Sequence, residues 1–85
     1  MKIEMFSKAG CHLCEEAKAI VEKVQKKVPF NFVETDISLD PALEKKFGEQ
    51  IPVIFIEGKK AFKFFVSEQD LLKKIEARTK PSHLG

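Results

Sequence analysis

The sequence predicts an α/β fold ordered β-α-β-α-β-β-α, with one four-stranded mixed sheet flanked by helices. Three observations predict it. Leu13, Ala17, Ile20, Val21, Val24 and Val28 recur at helical spacing, which marks an amphipathic helix with one face to bury. The run Val53-Ile54-Phe55-Ile56 is apolar at every position, so this strand is buried on both sides and helices must cover both faces of the sheet. A turn at Gly58-Lys59 then makes a hairpin, and a further apolar-striped segment closes the chain.

Each element follows in order. Lys2 to Phe6 is a strand, and Ser7-Lys8-Ala9-Gly10 is a loop. The first helix runs from about Cys11 to Val28, with Glu15 and Glu16 near its start and Lys26 and Lys27 near its end. These signs suit the helix dipole, and Pro29 stops the helix. Phe30 to Thr35 is the second strand. Asp40-Pro41 is an N-cap followed by proline at the first helical position, opening a short helix that holds Leu43 and Phe47 and ends at Gly48. Pro52 to Glu57 is the third strand and Lys60 to Phe65 the fourth. Ser67, with Asp70 three residues on, caps a last helix whose buried side holds Leu71, Leu72 and Ile75. Residues 1–79 therefore make one domain, and Lys80 to Gly85 form a frayed tail.

Composition narrows the function classes. The chain has 85 residues, 44% apolar and 33% charged, with a net charge of +2. That composition is globular and has no membrane-spanning run, and the charge lacks the clustered basic excess of a nucleic-acid binder. So small a domain is expected to be a monomer. The start of the chain carries no signal peptide, and the two cysteines, Cys11 and Cys14, lie too close together to staple a secreted mini-domain. A reducing, cytoplasmic setting is expected.

Chemistry is concentrated in Cys11-His12-Leu13-Cys14, which follows a strand and a loop and opens a helix. Attack on a disulfide needs a thiolate, and the unpaired N–H groups of a helix N-terminus favour one at Cys11, with Lys8 adding positive charge. Cys14, one turn further in, is expected to be less exposed and to resolve a mixed disulfide formed on Cys11. His12 would stabilise the thiolate if protonated, or is otherwise a solvated side chain. Leu13 is a core or rim contact. A bound metal is not expected, because structural zinc takes four ligands and only Cys11, Cys14, His12 and the distant His83 are on offer.

The chain resembles a glutaredoxin-like protein of the thioredoxin superfamily, from about Met1 to Ala77. Phe6-Ser7-Lys8-Ala9-Gly10-Cys11 is similar to the segment leading into the glutaredoxin active site, and Ile51-Pro52-Val53-Ile54-Phe55-Ile56-Glu57-Gly58 to the segment holding the family's cis-proline. The short subfamily with Cys-His-Leu-Cys is the most similar. The resemblance implies the thioredoxin fold, Cys11 as nucleophile and Cys14 as resolving thiol. It also implies a cis bond before Pro52, with Pro52 facing the cysteines, and Ile51 main chain pairing with bound peptide or glutathione. Lys8 would meet a substrate carboxylate, and the helix N-terminus at Ser67 is a candidate anion site.

Phe62, Lys63 and Phe64 stand where glutaredoxins usually carry a Gly-Gly turn, which counts against tight glutathione binding. Lys59, Lys60 and Lys63 are read as guards of an edge strand. The implied activity is reduction of protein disulfides or glutathione mixed disulfides, with no bound cofactor and with glutathione or a thioredoxin-reductase-like enzyme as the reducing partner. Two alternatives use the same residues: an iron–sulfur or other metal-binding module, and a non-catalytic binding domain on this fold.

Overall fold

The computed structural model describes residues 1–79, and the expected tail, with His83, lies outside the described residues. The elements are β1 (Lys2–Ser7), α1 (His12–Lys27), β2 (Asn31–Asp36), a 3₁₀ turn (Ile37–Leu39), α2 (Pro41–Phe47), β3 (Val53–Ile56), β4 (Lys59–Lys63) and α3 (Glu68–Thr79). The sheet order is β2-β1-β3-β4, with β1 parallel to β2 and antiparallel to β3, and β3 antiparallel to β4. This is the four-stranded mixed sheet with three helices that the sequence predicts.

The alternation of side chains along β1 and β3 builds two cores. Ile3, Met5, Ile54 and Ile56 point to one face and pack with Ala17, Val21 and Val24 of α1 and Leu71 and Ile75 of α3. Each such aliphatic side chain, fully buried, stabilises the fold by about 1.5–3 kcal/mol. Phe6, Val53 and Phe55 point to the other face and meet Phe47 of α2 and Ile37 of the 3₁₀ turn. β3 is thus covered on both sides. Both sheet edges are solvated, and the edge strand β4 carries exposed Lys59, Lys60 and Lys63, which guard it against edge pairing.

Several boundaries move by a residue, each for a local reason. Cys11 and Val28 are the caps of α1 and lie outside its helical turns. Ser7 belongs to β1 and is buried, because its hydroxyl donates to Glu34 Oε2 at 2.9 Å and so is satisfied away from water. The hairpin turn is Glu57-Gly58, one residue earlier than the sequence suggests. Both residues have positive φ, 52° and 82°, which is the backbone a two-residue hairpin turn demands. The register slips between Ile54, opposite Phe62, and Phe55, opposite Lys60, so Ala61 is a bulge in β4. Phe64, at φ 70°, ends that strand, and its N–H donates to the Pro52 carbonyl at 2.8 Å. The 3₁₀ turn was not legible in the sequence. Asp36 caps it by accepting from Ser38 N–H at 2.9 Å.

Candidate functional site

β1 delivers the chain to the site, and four residues separate its last residue from the first of α1. Gly10 takes φ 82°, in the left-handed region that glycine enters at little cost. The Cys11 N–H donates to the Lys8 carbonyl at 3.1 Å and closes the loop as a turn. Cys11 is then the N-cap of α1. Its Sγ accepts the Cys14 N–H at 3.2 Å, so the sulfur occupies the place of a capping oxygen at the positive end of the helix.

The two cysteines are free thiols in different surroundings. Cys11 is half-buried and reaches the surface, whereas Cys14 is only 3% exposed. Burial first, and then the hydrogen bond with Cys11, push the Cys14 thiol up from 9.0 to about 12. Cys14 also lines a cleft of about 310 Å³ with Ser7, Lys8, Gly10, Lys18, Glu34 and Asp36 among others. Glu34 is held there from two sides, by the Ser7 hydroxyl and by Lys18 Nζ at 3.1 Å.

Pro52 is buried, and the Ile51–Pro52 peptide is cis. Phe6 lies opposite Val53, so Pro52 stands at the same end of the sheet as the Ser7–Cys11 loop. Leu13 is half-buried and lines an apolar groove of about 390 Å³ with Ile20, Phe64, Phe65 and Val66, where Phe65 is 72% exposed. His12 is exposed and directs Nε2 to Glu16 Oε2 at 3.0 Å, one helical turn on. Ser67 caps α3 by accepting the Asp70 N–H at 3.1 Å, and the first turn of that helix already carries two carboxylates, Glu68 and Asp70.

Lys8 is engaged within the protein. Its Nζ donates to Glu44 Oε2 of α2 at 2.7 Å, and the hydrogen bond and charge of Glu44, with Asp36 adding, hold the ammonium above its ordinary value of 10.5. Glu34, Asp36 and Glu44 carry no motif and come to the site from β2 and α2. Only the strand pairing that sets β2 beside β1 could have pointed to Glu34. Among the described residues, no group of three or more His, Cys, Asp or Glu is placed to hold a metal ion. No helix among them is long and apolar enough to cross a membrane.

Comparison with known proteins agrees with this fold. The family model of the Glutaredoxin-like domain (DUF836) matches residues 2–76. The chain is 33% identical over 82 residues to "Glutaredoxin-like protein YDR286C homolog" of Dictyostelium discoideum, covering 89% of this chain and 76% of that protein. Among solved structures it is similar to structural genomics target XcR50 from X. campestris, at TM-score 0.76 and 22% identity, covering 93% of this chain and 99% of that one. It is also similar to thioredoxin 1 of Thermosipho africanus, at TM-score 0.63 and 18% identity, covering 94% and 100%. These structural likenesses show the thioredoxin fold.

Proposed function

The chain belongs to the glutaredoxin-like domain family, and on that footing we propose that it is a thiol–disulfide oxidoreductase acting on protein disulfides or glutathione mixed disulfides. Family membership supports a redox-type function in general. One observation carries the finer reading: a half-exposed sulfur at a helix N-cap, Cys11, with a second, buried thiol one turn behind it, Cys14.

The chemistry runs in two exchanges. Cys11 thiolate attacks a substrate sulfur, a Cys11–substrate disulfide forms, and the other substrate sulfur leaves as a thiolate that takes a proton from water. Cys14 then attacks Cys11 Sγ, and its proton passes to the departing substrate sulfur. The second substrate thiol is released and a Cys11–Cys14 disulfide remains, so two electrons have passed to substrate. Two external thiols return these electrons and restore the Cys11–Cys14 dithiol, either two molecules of glutathione, which leave as glutathione disulfide, or the dithiol of a thioredoxin-reductase-like enzyme, which leaves as its disulfide. The buried Cys14 suits the second step, because its thiol stays protonated while Cys11 acts first. The position of Pro52 at the Cys11 end of the sheet supports placing Ile51 main chain against an extended substrate beside Cys11. Leu13 adds an apolar rim to that surface. A reducing cytoplasmic compartment fits two free cysteines.

The test is reduction of a glutathione mixed disulfide and of a protein disulfide by wild type, Cys11→Ser and Cys14→Ser. Cys11→Ser is expected to lose turnover on both. Cys14→Ser is expected to reduce the glutathione mixed disulfide and to accumulate a covalent adduct with the protein substrate, seen by mass spectrometry. Turnover by Cys11→Ser equal to wild type would remove the nucleophile and with it the proposal.

A further inference from the structure

The Lys8–Glu44 pair changes what the loop before Cys11 offers a substrate. Taken as a local sequence, Ser7-Lys8-Ala9-Gly10 presents one positive charge beside the nucleophile. In the folded protein, that charge already faces a carboxylate at 2.7 Å, and a second carboxylate, Asp36, acts on it from the end of β2. The three groups together carry one net negative charge. The neighbouring groups do not restore a positive one: Glu15 stands in the first turn of α1, and Glu16 faces His12. Across the cleft that Cys14 lines, Lys18 is committed to Glu34.

Glu44 is held in place by α2. Asp40 caps that helix by accepting the N–H groups of Ala42 and Leu43, at 3.0 and 3.4 Å, and Pro41 stands in its first turn. Three residues after Glu44, Phe47 is 5% exposed and is locked between Phe6 and Phe55, with ring centroids at 5.0 and 6.0 Å. The carboxylate is therefore presented to Lys8 by a pinned helix. A free carboxylate on a substrate would meet at Lys8 a charge that Glu44 already offsets.

Accepting the oxidoreductase reading above, we infer that Glu44 is a specificity-determining residue: it occupies Lys8 as an internal carboxylate and turns the site away from disulfides that bear free carboxylates next to the reacting sulfur. The favoured substrate class is a disulfide within a polypeptide whose flanking residues are neutral at that position. Glutathione mixed disulfides are the disfavoured class. Glu44 touches no reacting atom in this scheme and acts chiefly through Lys8.

The test compares two fluorogenic mixed disulfides, one of glutathione and one of the same tripeptide with both carboxylates amidated. The neutral dithiol dithiothreitol supplies the electrons, so donor charge does not enter. At low salt, wild type is expected to favour the amidated substrate in kcat/KM by about twofold to fivefold, the range that one exposed ion pair can supply. Glu44→Gln, with Glu44→Ala as a second variant, is expected to close that gap, and added salt should shrink it in wild type. In a Lys8→Gln background, Glu44→Gln should give a smaller change, which a general effect on folding would not reproduce. The inference is overturned if wild type favours the carboxylate substrate, if Glu44→Gln leaves the ratio unmoved, or if the same gain appears without Lys8. Absence of turnover on both substrates defeats the oxidoreductase reading itself, and this inference with it, which separates the two failures.

Discussion

The face of the sheet under α1 and α3 is packed with aliphatic side chains that solvent does not reach, among them Ile3, Met5, Val21, Ile54, Leu71 and Ile75. The face under α2 is built from three rings, Phe6, Phe47 and Phe55, in one stacked and two edge-on contacts, and two of those rings remain half-buried. The difference follows from helix length. α1 has sixteen residues and α3 twelve, enough to lay an aliphatic stripe along whole strands. α2 has seven, too few for a stripe, so it covers the sheet with large rings and relies on its cap. The lesson is functional as well: the long helix sets the two sulfurs, and the short one sets a charge beside them.

The comparison can be broken first on the aliphatic side. Leu71→Ala is expected to cost about 2–5 kcal/mol, read as a shift in urea midpoint, because a fully buried side chain leaves a cavity between α3 and the sheet. A loss below about 1 kcal/mol would mean that this face is not the main core.

A smaller effect comes from Cys14, on the same face as α1. The folded state holds its thiol proton more tightly than the unfolded state, since the group lies near 12 when folded against an ordinary 9.0. A raised folded value contributes stability that is fully present below about pH 9 and lost as pH rises toward 12. Between pH 8 and pH 10 the reduced wild type should therefore lose more stability than Cys14→Ala, by about 1 kcal/mol. Urea unfolding of both at the two pH values measures it, and parallel losses would show that burial of the thiol carries no such linkage.

The smallest effect sharpens the other face. Asp40→Ala removes the acceptor of two N–H groups at the start of α2 and is expected to cost about 0.5–1 kcal/mol. If α2 presents Glu44 as argued, the same variant also weakens discrimination between the carboxylate and amidated substrates. An unchanged ratio would show that Glu44 does not depend on the helix being capped.

What the sequence made legible was whatever is local. The stripe from Leu13 to Val28, the Asp40-Pro41 start, the Gly48 stop and the Ser67 cap each depend on spacing within a few residues, and each stands in the structure. Cys11 at a helix N-terminus with Cys14 buried behind it was legible for the same reason. What escaped depends on pairs distant in the chain. Ser7 looks like a loop residue until Glu34, twenty-seven positions on, accepts its proton inside the fold. Lys8 looks like an open cation until Glu44, thirty-six positions on, meets it. His12 could be read as stabilising the Cys11 thiolate or as a solvated side chain, and in the fold it is exposed and faces Glu16 one turn on. The bulge at Ala61 leaves no mark in composition, since it is an accommodation between two strands.

The short turn that carries Cys11 has a mechanical consequence. Ser7 is fixed in the sheet, the Cys11 N–H is tied to the Lys8 carbonyl, and the next residue already belongs to a sixteen-residue helix packed on the core. There is no slack in which the Cys11 backbone could swing outward. Movement of that backbone would require α1 to shift as a rigid rod against the sheet, which its buried stripe resists. On the proposed oxidoreductase reading, adaptation on encounter falls to the other molecule: a substrate's disulfide must travel to a fixed Cys11 backbone, and chains that are loose around their disulfide will reach it most readily.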